Sequence, residues 1–222
     1  MDWQALRLSL ELAVATVLVL TPLGVLLGRV LAYTSFRGKS LAEALVMLPL
    51  VVPPTVLGFY LLVAFGGASP LGAAWEALVG RPLVFTFEGL VLASVVVSLP
   101  FAVQPAQRAF QAIPREMREA AASCGMTRLG VFGRVELPLA WPGILTAIVL
   151  TFAHTLGEFG VVLMVGGAIP GETRTAAIAI YDRVQAFDDA AAARMSLILL
   201  VVSLVTIAAT FMLSARMGRR LG

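Results

Sequence analysis

His154 and Glu158 stand one helical turn apart in an otherwise apolar stretch of a 222-residue chain. At positions i and i+4 of a helix the two side chains face each other and can share a hydrogen bond. An ionisable group inside an apolar run is costly and marks a functional candidate. His154 by itself reads as a satisfied interior histidine. Arg37-Gly38-Lys39-Ser40 ends like a phosphate-binding loop. The full pattern needs a glycine five positions before Gly38, where Tyr33 stands, and a preceding strand, where an apolar run stands. Any nucleotide site therefore belongs to another chain. No nucleophile, base and orienting group fall into a catalytic pattern. One histidine and one cysteine make no metal cluster, so neither a catalytic residue nor a metal ligand is expected. Cys124 has no partner for a disulfide within the chain and reads as a small packing residue.

The elements that must position these residues are set by composition. Hydrophobic residues make up 59% of the chain and charged residues 13%, with a mean hydropathy of +0.95. A soluble domain carries roughly 25% charged residues, and half that value cannot cover a water-facing surface. The formal charge of +3 and pI of about 9.6 then reflect arginines at the ends of membrane helices. They do not form a nucleic-acid surface, because the aromatic residues such a surface interleaves with basic ones are absent. The N-terminus begins Met1-Asp2-Trp3 and its apolar run is too long for a cleaved signal.

A membrane span needs about 20 apolar residues. Five stretches qualify, at about 8–32, 41–65, 89–109, 139–165 and 195–213. All are expected to be helices, since lipid offers backbone groups no partner and no alternating barrel pattern is present. The whole chain, 1–222, reads as one all-α transmembrane domain. With the N-terminus outside, the inner ends collect Arg29, Arg37, Lys39, Arg108, Arg115, Arg118, Arg128, Arg134, Arg216, Arg219 and Arg220, eleven of the 16 basic residues. That bias puts the C-terminus and the segment 114–138 in the cytoplasm. Residues 66–88 read as a turn-rich connection. Residues 173–185 read as a short outer helix, and Asp188 or Asp189 as a cap for the alanine-rich approach to the last span.

Prolines interrupt the second and third spans. Each removes a backbone hydrogen bond, and broken helices are tolerated in membranes where protein or a water-filled cavity satisfies the freed groups. Pro49, Pro53 and Pro54 together point to a kinked helix lining a pathway; the alternative for any one proline is a packing kink. Gly24, Gly28 and Gly58 read as points of close helix packing.

The polar segment 114–138 carries the most specific pattern. Pro114 suits a helix start and Arg115 to Cys124 are strong helix formers. Gly125 can end that helix in the left-handed conformation. Thr127 can cap a second short helix over 128–134, which Leu137-Pro138 would close. Met117, Ala120, Ala121, Cys124 and Leu129 are the apolar or small residues available to a partner. The alternative is an amphipathic helix at the interface with no partner.

The run Glu119-Ala120-Ala121, three residues, Gly125, nine residues, Val135, one residue, Leu137-Pro138 resembles the EAA loop of ABC-importer permease subunits. Val135 stands where that family prefers Ile. The resemblance implies a five-span type I importer permease. In it Glu119, Ala120, Ala121, Gly125, Val135, Leu137 and Pro138 belong to the coupling segment docked on a cytoplasmic ATPase. Gly157-Glu158-Phe159-Gly160, Ile169-Pro170-Gly171-Glu172-Thr173-Arg174-Thr175 and Ala179-Ile180-Tyr181 are similar to the molybdate branch, with sulfate and thiosulfate permeases as near relatives. The resemblance implies a homodimer in the inner membrane, two ABC ATPase subunits that bind ATP and magnesium, and an extracytoplasmic oxyanion-binding protein. It implies no cofactor on this chain. For such cargo, molybdate or tungstate, a carboxylate is repulsive. Glu158 then reads as an acid paired with an arginine or backbone donors at an outer gate, the alternative being contact with the ligand. Pro49, Pro53, Pro54, His154 and Glu158 are the gate or pathway candidates. Readings of a different class are an ion-coupled secondary transporter, which calls for mid-membrane acids and an inverted repeat, and a membrane-anchored enzyme, which calls for a catalytic cluster.

Overall fold

The computed structural model describes residues 2–221, with side chains described except at 210, 211 and 213–221. The side chains of Arg216, Arg219 and Arg220 thus lie outside the described residues. Among the described residues every regular element is helical.

Helix α1 runs Trp3–Tyr33 and stays continuous through Pro22. It starts with Asp2, whose Oδ1 accepts from the Ala5 N–H at 3.0 Å. Helix α5, Phe87–Gln111, is capped by Thr86 and continues through Pro100 and Pro105. These two pack side by side with one shared register. A Cβ on Gly24 would lie 2.9 Å from the Ala102 Cβ, and one on Gly28 would lie 3.0 Å from the Ala106 Cβ. Two glycines and two alanines, each pair four residues apart, therefore let the backbones touch, in the small-residue packing of membrane helices. The same register stacks Leu12 against Leu90 in an apolar cluster with Val162 and Ile178.

The stretch read as a second span is two helices, α2 (Lys39–Val51) and α3 (Pro54–Phe65), bent by 111° at the break between them. Val52 and Pro53 are extended there, because a residue before proline is pushed out of the helical region and Pro53-Pro54 brings no N–H donors. Pro49 sits inside α2, about a turn before the break.

The connection 66–88 contains helix α4, Pro70–Val79, which the turn-rich reading missed. Ser69 caps it by accepting from the Gly72 N–H, Pro70 begins it, and Gly80 ends it at φ 77°. The Gly and Pro signals that suggested turns are this helix's start and stop.

Helices α6 (Arg115–Ser123) and α7 (Arg128–Val131) follow α5. Residues Phe132–Glu136 form one π-helical turn that feeds helix α8, Leu137–Gly157. Leu137-Pro138 therefore closes nothing: α7, the π turn and α8 are one continuous run. Pro138 has no N–H to give, and ahead of it the ladder widens so that the Leu137 N–H reaches back to Phe132 O.

The fourth span also ends earlier than 165. It stops at Gly157, and helix α9 (Gly160–Gly166) begins after an extended Glu158. Helix α10 is Ala176–Gln185, and α11 is Asp189–Leu221. Asp188, not Asp189, supplies the cap, accepting from the Ala191 N–H at 3.1 Å. By length and composition α1, α5, the run 128–157 and residues 189–209 can each cross a membrane, and the bent pair α2–α3 makes a fifth candidate.

Candidate functional site

At the end of the bundle where α1 and α5 finish, the segment 115–138 folds as helix, left-handed glycine, helix. Gly125 sits at φ 80°. Its N–H donates to Ala122 O at 3.0 Å and the Met126 N–H donates to Ala121 O at 3.3 Å, the paired bonds that satisfy a helix C-terminus. Thr127 then starts α7, its Oγ1 accepting from the Gly130 N–H at 3.1 Å.

The motif residues face different ways. Glu119 and Ala120 are exposed, and Glu119 pairs along the helix with Arg115 at 2.5 Å. This surface pair contributes little to stability. It raises the Arg115 pKa, through the hydrogen bond from its guanidinium to Glu119. Met117 is 46% exposed and Leu129 82%, so α6 and α7 offer large apolar side chains that the chain itself does not cover. Cys124 is exposed rather than packed. Ala121, grouped with these by the sequence reading, is buried and faces the protein's own interior. Val135 and Leu137 are half-buried and Pro138 exposed, at the start of the run into α8.

Beneath the segment lies a group the sequence reading did not single out. Glu136 is 2% exposed. It receives Arg29 from α1 through Nε to Oε2 at 2.6 Å and Nη2 to Oε1 at 3.4 Å. The Arg29 guanidinium also lies 5.2 Å from the Phe132 ring centre. One turn further along α1, Tyr33 donates from its hydroxyl to Phe110 O at 3.0 Å. Its ring carries the Arg118 guanidinium of α6 at 3.8 Å. Arg29, Tyr33, Arg118 and Glu136 line one cleft of about 530 Å³. The available signal was an acid immediately before Leu137 at the mouth of a span, which requires a partner.

Beside the middle of α5, where the Ser98 and Thr155 hydroxyls lie 3.1 Å apart, and not at the outer end expected for Glu158, the two broken elements meet. A Cβ on Gly160 would lie 2.8 Å from the Pro54 Cβ, and one on Gly58 would lie 2.8 Å from the Met164 Cβ. So α3, which begins at the proline break, packs closely on α9, which begins just after Glu158. The structure thereby gathers Pro53, Pro54 and Glu158 in one region. Glu158 is 8% exposed and its Oε1 accepts from the Val161 N–H at 2.9 Å, a donor otherwise orphaned at the α9 start. Its Oε2 lies 3.8 Å from His154 Nε2, too far for a hydrogen bond. His154 instead stacks on Phe101, with ring centres 4.2 Å apart.

Residues 21–219 match the family described as "Binding-protein-dependent transport system inner membrane component". The chain is 51% identical over 191 residues to "Molybdenum transport system permease protein ModB" of Azotobacter vinelandii, covering 86% of this chain and 84% of that protein. It is 43% identical over 174 residues to "Putative molybdenum transport system permease protein YvgM" of Bacillus subtilis, covering 78% and 77%. It is 31% identical to "Probable sulfate transport system permease protein cysT" of Chlorella vulgaris, covering 91% and 76%. Among solved structures, a bacterial ABC transporter that imports the acidic polysaccharide alginate matches with a TM-score of 0.78 at 18% identity, covering 96% of this chain and 78% of that one. An inward-facing MetNI methionine ABC transporter matches with a TM-score of 0.70 at 18% identity, covering 97% and 94%. These two likenesses concern the fold.

Proposed function

The chain belongs to the family of binding-protein-dependent transport system inner membrane components, and from that premise we propose that it is the permease subunit of an ATP-driven molybdate importer. The observation that carries the cargo assignment is the 51% identity with a molybdenum permease over 86% of the chain. Tungstate, of the same shape and charge, is expected to follow the same route.

In this reading the chain performs no bond chemistry. It works as a pair of copies with the pathway between them. The N-terminus lies outside and the C-terminus inside, as the basic residues favour. Two ATPase subunits bind ATP and magnesium and grip the segment 115–138, and a binding protein delivers the anion from outside. Exposed Glu119, Ala120, Met117 and Leu129 support the docking role, because their own chain leaves them uncovered. Closure of the ATPase pair moves that segment and exchanges an inward opening for an outward one. Glu158, tied to the Val161 N–H, holds the α8–α9 break in shape and does not touch cargo.

The similarity to a sulfate permease supports a second cargo reading with the same machinery. Reconstitution with the binding protein and ATPase subunit separates the two. ATP-dependent accumulation of molybdate that persists in a large excess of sulfate supports the first reading; accumulation of sulfate with exclusion of molybdate overturns it.

A further inference from the structure

Four side chains join the segment 115–138 to α1: Arg118 and Glu136 of the segment itself, and Arg29 and Tyr33 of α1; three of them are charged. Their arrangement ties both ends of the segment to one strip of α1. Arg29 and Tyr33 are four residues apart, hence on one face of α1. Tyr33 carries Arg118 of α6 at 3.8 Å, and Arg29 holds Glu136 of the π turn at 2.6 Å. The tyrosine hydroxyl adds a third anchor, on the last turn of α5 at Phe110 O.

Along the backbone the segment joins α5 through residues 112–114 and runs on into α8, with no covalent neighbour in α1. A push on α6 that travelled only along the backbone would reach α5 and α8 and leave α1 to follow through helix packing. We infer that the Arg118–Tyr33 stack and the Arg29–Glu136 pair form a latch that makes α1 move with the coupling segment as one body. Arg118 and Tyr33 are thus positioning residues for transport. The inference rests on the reading of 115–138 as the ATPase-docked segment.

Arg118 suits this role on two counts. Its Nε is buried without a hydrogen-bond partner, so the tyrosine face is the contact that holds its guanidinium. A guanidinium within about 6 Å of a tyrosine ring centre is also attracted by the ring face. The π turn suits it too, since such one-turn bulges in an α-helix recur at functional sites.

The test uses the assembled transporter in liposomes, with permease, ATPase subunit and binding protein. Three quantities are read: ATPase recovered with the permease, ATP hydrolysed, and molybdate transported per ATP. Arg118→Ala and Tyr33→Leu are expected to keep ATPase recovery and hydrolysis while transport per ATP falls by roughly fivefold, the bias that loss of one such contact gives a two-state element. Arg118→Lys and Tyr33→Phe keep cation and ring and are expected to restore most of it. A merely structural role would lower recovery, hydrolysis and transport together; that result, or normal transport per ATP in both damaging variants, overturns the latch. If wild-type permease recovers no ATPase, the docking reading fails instead. Should Arg118→Ala not assemble, the Tyr33→Phe and Tyr33→Leu pair decides alone: equal transport per ATP in both overturns the latch.

Discussion

Arg29 and Glu136 lie 107 residues apart in the chain and form a two-point ion pair, at 2.6 and 3.4 Å. The pair is lopsided: the Glu136 side chain is 3% exposed and that of Arg29 is 34%. Truncating either residue therefore has unequal consequences. Arg29→Ala strands a carboxylate in the interior and is expected to cost about 3 kcal/mol. Glu136→Ala leaves a guanidinium that can turn to water and is expected to cost about 1 kcal/mol. Thermal unfolding of the two variants in the same detergent checks the order; equal losses contradict it.

Gly125 occupies the left-handed region, and a Cβ added there would meet nothing within 4 Å. Its constraint is thus the backbone angle and not space. Gly125→Asn is expected to transport almost normally, since asparagine tolerates that region. Gly125→Val is expected to uncouple ATP hydrolysis from transport while the protein stays in the membrane. Hydrolysis and uptake measured on both variants decide this; normal uptake by the valine variant contradicts the coupling role.

The glycine contacts between α1 and α5 make a packing prediction. Gly24→Leu and Gly28→Leu force Ala102 and Ala106 away and are expected to destabilise by about 1–3 kcal/mol each. Gly133→Ala, with nothing near its Cβ, is expected to be close to neutral. Unfolding midpoints of the three variants test the contrast.

Glu158 yields a prediction that separates scaffold from ligand. Glu158→Gln keeps an oxygen for the Val161 N–H and is expected to preserve transport; Glu158→Ala removes it and is expected to cost about 1 kcal/mol, as loss of a helix cap does. Transport assays on the glutamine variant are decisive. A large loss there means that the charge itself is needed.

Much of the fold was legible because apolar runs and prolines report membrane helices directly. The runs behind α1, α5 and α11, and the break at Pro53-Pro54, are of this kind. Hydropathy carries no information about direction, so it read through Glu158 as though α8 continued. The real stop is a change of backbone angle between Gly157 and Gly160. The helix α4 was hidden by the ambiguity of its own punctuation: Ser69-Pro70 and Gly80 mark turns and helix ends equally well. The helix, glycine, helix form of the segment 115–131 was legible because its signals are local. Its anchorage was not, because Arg29 counts only as an inner-end charge until the fold brings Glu136 to it.

The segment 115–138 is, in this mechanism, the handle that a separate ATPase holds, and the single cysteine gives direct access to it. Cys124 is exposed on that segment. A membrane-impermeant maleimide should label it in inside-out vesicles, not in intact cells, and bound ATPase subunit should protect it. Labelling from the outer medium, or labelling that the bound ATPase leaves unchanged, would contradict the mechanism.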